Sequence, residues 1–200
     1  MKIAFLLTQS LSSPSGLGRY GPLAREIVNL GHNVEIIALH PAWDTLHKKS
    51  FNDNGVHINY VGQMHVMKKG SRKTYYKPSQ LLWISMKAVT HMAKALRQSD
   101  AEIIHICKPQ PFNVLAAKLG SKTRPVFCDC DDYEAETNRF TYNWQRAIVR
   151  YFEDNIVNFV KGITTNTQFT HQRYTQLGFP SNRISYIPNG VERNRFCLPV

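Results

Sequence analysis

Short apolar runs of strand length alternate with segments of helical period along most of this chain, and that alternation restricts it to a parallel sheet covered by helices. Residues 3–7 form an apolar run without polar alternation, as a strand buried on both faces requires. Residues 23–30 carry a helical period closed by Gly31, and residues 34–39 repeat the buried-strand pattern, completing one βαβ unit. Further strands are expected at 57–61, 103–106 and 126–130, with helices at 79–97, 112–119 and 142–160. The fold class is therefore α/β, a parallel sheet with helices on both faces. A chain of 200 residues with 42% apolar content can bury one sizeable core but does not readily divide into two full domains.

Charge narrows the partners. Lys and Arg number 25 against 14 Asp and Glu, a formal net charge of +11, which favours an anionic partner such as nucleotide phosphates, an acidic membrane surface or nucleic acid. Between Asn54 and Ser99 there is no acid, while Lys68, Lys69, Arg72, Lys73, Lys77, Lys87, Lys94 and Arg97 stand among Tyr75, Tyr76 and Trp83. Within this stretch Ser79 can cap a helix whose Leu82, Met86, Val89, Ala93 and Leu96 form a 3,4-spaced stripe, read as core. A basic helix beside a basic, aromatic loop suits an anionic bilayer surface. Nucleic acid ranks lower, because no recognition motif or stacking platform accompanies the patch. The four cysteines, Cys107, Cys128, Cys130 and Cys197, lack the spacing of a disulfide framework or a zinc knuckle, which fits a reducing cytoplasm. The apolar start is cut short at Thr8-Gln9-Ser10, too early for a signal peptide.

Two loops carry candidate chemistry. Gly16-Leu17-Gly18-Arg19-Tyr20-Gly21 matches G-x-G-x-x-G, but residues 9–15 separate it from the first strand, and the second strand ends at His40 rather than at an acid able to hold a ribose hydroxyl. Nicotinamide binding is disfavoured on both counts. The glycines still allow backbone N–H groups to approach a phosphate, and they serve a plain structural turn equally well. The second loop closes the strand at 126–130. Asp129, Asp131, Asp132, Glu134 and Glu136 place five acids within eight residues, suited to acid–base work or hydroxyl recognition, or to an acidic start of a helix. Asp129-Cys130-Asp131 also spells D-x-D, a motif in which paired oxygens can hold a divalent metal against a diphosphate.

The tail is the most specific part. Gly162-Ile163-Thr164-Thr165-Asn166-Thr167 is strand-like, and Thr167 can cap a helix over 168–176 that Leu177-Gly178-Phe179-Pro180 ends. Residues 183–187 are extended again, and Asn189-Gly190 is expected to turn with positive φ. This succession, closing on Ile187-Pro188-Asn189-Gly190-Val191-Glu192, resembles the inter-domain hinge of retaining GT-B glycosyltransferases of the family-4-like group, with Glu192 in place of the usual Asp. Ile103-Ile104-His105-Ile106-Cys107 likewise resembles that family's Ile-Ile-His-x-His segment, and the run through Asp131-Asp132 stands where the family reads His-Asp.

The resemblance implies that residues 1–196 form the N-terminal, acceptor-side Rossmann-like domain, half of a GT-B fold, with the inter-domain linker starting across 184–200 and the C-terminal donor domain absent. By the same resemblance the full enzyme transfers a sugar from a nucleotide-diphosphate sugar, with retention and without metal or other cofactor, and the 200 residues alone are inactive. It further implies that Asp131 and Asp132 act in catalysis, that Gly16, Leu17 and Gly18 meet the donor phosphate, and that His105, Lys108 and Arg19 meet the acceptor. His105, flanked by isoleucines, equally reads as a core residue. A non-catalytic module or subunit that pairs with a separate donor-binding chain is the alternative. The expected location is cytoplasmic, with peripheral contact at the inner membrane face.

Overall fold

The computed structural model describes residues 1–69 and 72–190. In chain order the elements are β1 (Lys2–Leu7), α1 (Gly21–Asn29), β2 (Asn33–His40), β3 (Ser50–Asp53), β4 (Val56–Gln63), β5 (Val66–Lys69), β6 (Arg72–Tyr75), α2 (Pro78–Gln98), β7 (Ile103–Cys107), α3 (Pro111–Gly120), β8 (Val126–Cys130), α4 (Glu134–Thr137), α5 (Asn143–Asn155), β9 (Gly162–Thr165), α6 (Gln168–Gln176) and β10 (Ile184–Tyr186). A π-helical turn, Gly16–Tyr20, runs directly into α1.

Eight strands form one sheet in the order β10-β9-β8-β7-β1-β2-β4-β3, parallel throughout except for β3, which folds back antiparallel on β4. Position in the sheet explains the strand sequences. β1 and β2 lie near the middle and are buried through Ala4–Leu7 and Val34–Leu39, hence their apolar runs, which only Glu35 interrupts. β4 lies next to the antiparallel edge and alternates, burying Val56, Ile58 and Tyr60 while His57 is exposed. From β1 the chain works outward through β2 and β4, returns along α2 to β7 on the other flank of β1, and proceeds outward again through β8, β9 and β10. The direction of winding therefore reverses between β1 and β7, and open parallel sheets bind ligands at the carboxyl ends of strands flanking such a reversal.

Helices cover both faces. α2, α3 and α5 share one core with Leu6, Ile104, Ile106, Cys128 and Ile163, while α1 packs through Ala24 on Phe5, Leu7, Ile36 and Ile58 opposite. Arg124 clasps the ends of α2 and α3, its guanidinium donating to the carbonyls of Leu96, Ser99, Ala101, Gly120 and Ser121 at 2.7–3.2 Å. All but the Ala101 carbonyl are ones that helix ends leave unsatisfied, beside the negative ends of two helix dipoles.

Three expectations are corrected. The stripe of α2 is core only in its second half, where Val89, Ala93 and Leu96 are buried, whereas Leu82 and Met86 are 65% and 54% exposed. The helix over 142–160 ends at Asn155 and tightens into a short 3₁₀ turn, Ile156–Asn158. Gly178 takes the expected positive φ of 86° after α6, but Gly190 does not enter the left-handed region, so the chain leaves β10 without the expected turn. Thr167 does cap α6, accepting from the Thr170 N–H at 3.1 Å. Hinge-like residues 191–196, Glu192 and Cys197 lie outside the described residues, as do the side chains of Lys68, Lys69, Arg72 and Lys73.

Candidate functional site

Three segments meet at the carboxyl edge where the winding reverses: the loop after β1, the end of β7 and the end of β8. Thr8 at the tip of β1 donates to Gln110 just before α3, and a shallow pocket between the strands is lined by Leu7, Thr8, Gln9, Ser15, Tyr20, Cys107 and Lys108.

Lys108 is the centre of the first cluster. It follows β7 with φ of 82°, a left-handed conformation that costs a non-glycine residue about 1–2 kcal/mol. The surroundings hold it there: its N–H donates to the Asp129 carbonyl at 3.1 Å, and buried Asn113 donates to the carbonyls of Cys107 and Lys108 at 2.9 and 3.2 Å. This turn aims a buried ammonium at three carboxylates, 3.2 Å from Asp131, 3.2 Å from Asp132 and 2.5 Å from Glu134. Burial alone would lower the Lys108 pKa, but the three acids outweigh it and raise it, so the amine is charged at neutral pH.

Asp131 is buried as well. Desolvation pushes its carboxyl up to about 6, with Asp129 and Asp132 adding to the rise and Lys108 opposing it. Asp132 is half exposed and marks the open side. Glu134 accepts from Gln110 at 3.3 Å and from Asn138. Beneath it the fully buried Glu153, reaching from α5, accepts the N–H groups of Glu134 and Ala135 at 2.7 and 3.1 Å and so fixes the start of α4. Burial raises the Glu153 carboxyl to about 7.

Asp131, Asp132 and Glu134 bring ligand atoms within 4.8 Å of one another, a spacing compatible with a cation. The Lys108 ammonium already lies within ion-pairing distance of all three, supplying the positive charge such a group needs. The D-x-D reading does not survive the geometry, because Asp129 and Asp131 are held by different cations, Arg19 and Lys108.

Asp129 forms the second cluster. It is 1% exposed and accepts from Arg19 Nε and Nη2 at 2.7 Å each, from Thr164 at 2.6 Å and from Tyr20 at 3.0 Å. Burial would raise its pKa, but the bidentate arginine and the Thr164 hydroxyl lower it. Arg19 also donates to Asn189 in the segment leaving β10. The guanidinium thus ties the glycine loop, the end of β8 and the hinge-like tail together.

The candidate residues divide accordingly. Asp131, Asp132 and Lys108 come together at the rim, while Arg19 is committed to Asp129 and Asn189. His105 lies within β7, its ring 4.9 Å from Phe5 and its buried Nε2 without a hydrogen-bond partner among the described residues; burial lowers its pKa and keeps it neutral. Gly16 is required by packing, since a Cβ there would stand 2.5 Å from the Ser10 carbonyl oxygen and 2.6 Å from the Leu11 Cα. The N–H groups of Gly16 and Leu17 are spent on Ser13. Leu17 is exposed, and a Cβ on Gly18 would meet nothing within 4 Å, so Gly18 is where the loop stays open. Sequence reasoning did not find Glu153, Gln110 or Asn113, whose partners lie in other segments. It named Asp129 only within the acidic run and the D-x-D.

Comparison with solved structures places this geometry. UDP-GlcNAc 2-epimerase from Neisseria meningitidis bound to UDP-GlcNAc superposes with a TM-score of 0.60 at 12% identity, covering 94% of this chain and 46% of that one. A sucrose-phosphate synthase structure from Thermosynechococcus elongatus gives 0.58 at 12% identity over 95% of this chain and 90% of that one. HepE of Anabaena in complex with UDP-glucose gives 0.56 at 16% identity over 97% and 45%. The chain spans about half the length of most of the solved structures it matches. No curated protein sequence matches it. At these identities the superpositions establish the fold, the Rossmann-like half of GT-B proteins. A model of Glycosyltransferase Family 4 matches residues 22–195, most of the chain, and the chain belongs to that family.

Proposed function

We propose that this chain supplies the acceptor-side half of an enzyme that moves a sugar from a nucleotide-diphosphate sugar to an acceptor hydroxyl with retention of configuration. Family membership supports transfer, and the neighbours bound to UDP-GlcNAc and UDP-glucose support a nucleotide-sugar donor. The observation that carries the reading is the buried, high-pKa Asp131 beside Lys108 at the strand ends flanking the reversal.

The charge of that cluster sorts the substrates. One ammonium stands among three carboxylates, so the rim is net negative, repels a diphosphate and attracts hydroxyl donors. Asp131 and Asp132 then accept hydroxyls of the acceptor or the transferred sugar, with Lys108 holding Asp131 in place. The diphosphate approaches from the other side of the pocket, at Gly18, which Gly16 positions. Acceptor contacts by His105 and Arg19 are indirect in this reading, through the strand and loop they brace. The reading includes an acceptor held at an anionic membrane, and no turnover by the 200 residues alone, because the donor-binding half lies outside them. Among the described residues no helix is long and apolar enough to cross a membrane.

The test is transfer by the full-length protein from a panel of nucleotide sugars to a panel of hydroxyl acceptors, with the anomeric configuration of the product read by NMR. Retained configuration with at least one donor supports the proposal. Inverted product overturns the stereochemistry. Acceptor binding without turnover of any donor favours the binding-module alternative.

A further inference from the structure

α5 is apolar on two sides. Its inner side sets Phe152 against the core shared with α2 and α3, and the short turn that follows it buries Ile156 there. On the other side Trp144, Ala147, Ile148 and Tyr151 recur at i, i+3, i+4 and i+7, and all are exposed. Tyr142 extends this stripe, stacking on Trp144 with ring centroids 6.2 Å apart. On α3, which packs beside α5, Leu115 and Leu119 are exposed as well. A second apolar face on a helix ordinarily has something against it.

Charge identifies the occupant. The chain carries a net charge of +11, so a second copy is repelled wherever basic groups stand unneutralised. α2 is such a place, since it exposes Lys87 and Lys94 and has no acid in its 21 residues. Around the α5 stripe the cations are matched: Arg150 pairs with Glu136, and Arg173 of α6 pairs with Asp154 near the end of α5.

The stripe is also complementary to itself. Trp144 and Tyr151 stand equally far from the midpoint between residues 147 and 148, and Ala147 and Ile148 adjoin that midpoint. A two-fold axis there sets Trp144 of each copy against Tyr151 of the other, and the small Ala147 against Ile148 where the two helices come closest. The same axis brings Arg150 opposite Gln145, whereas parallel pairing would bring the two Arg150 side chains together.

The area is sufficient for a weak pair. Tyr142, Trp144 and Tyr151 are each half exposed or more, which at about 200 Å² per aromatic side chain leaves about 300 Å². Ile148 and the two leucines bring the patch to roughly 500 Å². Two copies would bury about 1,000 Å² together, the lower limit for a specific interface.

We propose that α5 is the contact of a two-fold dimer, its outer stripe packed antiparallel against the same stripe of a second copy of the chain.

The test is sedimentation velocity of the full-length protein between about 1 and 200 μM, a range that brackets a Kd of about 10–100 μM. Wild type should pass from monomer to dimer over that range, and W144S/I148S/Y151S should stay monomeric throughout with its circular dichroism unchanged. Q145E keeps an acceptor for the Tyr142 N–H, sets a carboxylate opposite Arg150 and should tighten the dimer about twofold. In a chain with Cys197 replaced by Ser, A147C should cross-link to itself on mild oxidation because residue 147 adjoins the axis, and K94C on α2 should not. A wild type that is monomeric at the highest concentration, a dimer that survives the serine substitutions, or K94C cross-linking as readily as A147C would each overturn the proposal. A monomeric wild type whose serine variant melts several degrees lower would assign the stripe to another part of the same chain. Sugar transfer enters none of these measurements, so the dimer stands or falls apart from the functional reading.

Discussion

Replacing Lys108 with Met tests the site at its centre. The ammonium is buried and lies 3.2, 3.2 and 2.5 Å from three carboxylates, two of them buried. Removing one partner of a buried ionic group leaves uncompensated charge and costs about 3–5 kcal/mol. With a denaturant slope of about 3 kcal/mol/M, the urea midpoint should fall by about 1 to 1.7 M at pH 7.5. The deficit must depend on pH. Asp131 is already raised to about 6, and without Lys108 it rises further. A carboxyl raised in the folded state binds more protons there than in the unfolded chain, so its contribution is intact below the unfolded pKa and is lost as pH rises through the folded one. The deficit should accordingly shrink toward pH 5. Adding D131N and E134Q to K108M should recover most of the loss. Because residue 108 has φ of 82°, K108G should be milder than K108M by about 1 kcal/mol. A deficit below about 1 kcal/mol, or one that is flat with pH and unrescued by the carboxamides, would refute the buried-cluster argument.

Other consequences follow from the same geometry. D131N should lower sugar transfer by the full-length enzyme about 10²-fold or more, while urea unfolding at pH 7.5 shows stability unchanged or higher by up to about 3 kcal/mol, since Asn has no ionised form to bury. G16A should destabilise by about 1–3 kcal/mol, because its Cβ meets backbone atoms of Ser10 and Leu11 that cannot rotate away. G18A should leave the melting temperature nearly unchanged, because its Cβ meets nothing within 4 Å, and should raise KM for the nucleotide sugar if the proposed approach of the diphosphate at Gly18 holds. R124M strands carbonyls at the ends of α2 and α3 and should cost about 3 kcal/mol, measured by thermal unfolding.

Much of the architecture was legible in local pattern. The buried strands announce themselves because a central parallel strand has no solvent face, and residues 3–7 and 36–39 are apolar without interruption. Gly31 and Gly178 were readable as helix stops, and both take φ of 86°. The overhang of α2 was not legible: the 3,4 spacing of Leu82 and Met86 is the same whether or not a neighbour covers it, and periodicity gives a face without saying what lies against it. The site divides on the same principle. The acids at 129–136 stand out by crowding, but which of them is buried, and against which cation, depends on Lys108 and Arg19 arriving from other strands. Glu153 carried no signal, because a glutamate on an amphipathic helix reads as solvated until α4 is placed over it.

The separation of charge within the fold bears on what the excess of +11 is for. At the reversal point Arg19 and Lys108 face Asp129, Asp131, Asp132 and Glu134, so the pocket rim is net acidic even though the chain is strongly basic. The basic excess is therefore not a donor-phosphate site spread over this half. It is concentrated in residues 54–99, where no acid interrupts the sequence. For an acceptor held at an anionic membrane, the kinetic expectation is that charge-neutralising Lys68, Lys69, Arg72 and Lys73 raises KM for a vesicle-borne acceptor and leaves KM for a soluble analogue unchanged. Equal effects on the two acceptors would show that the basic surface acts inside the active cleft instead.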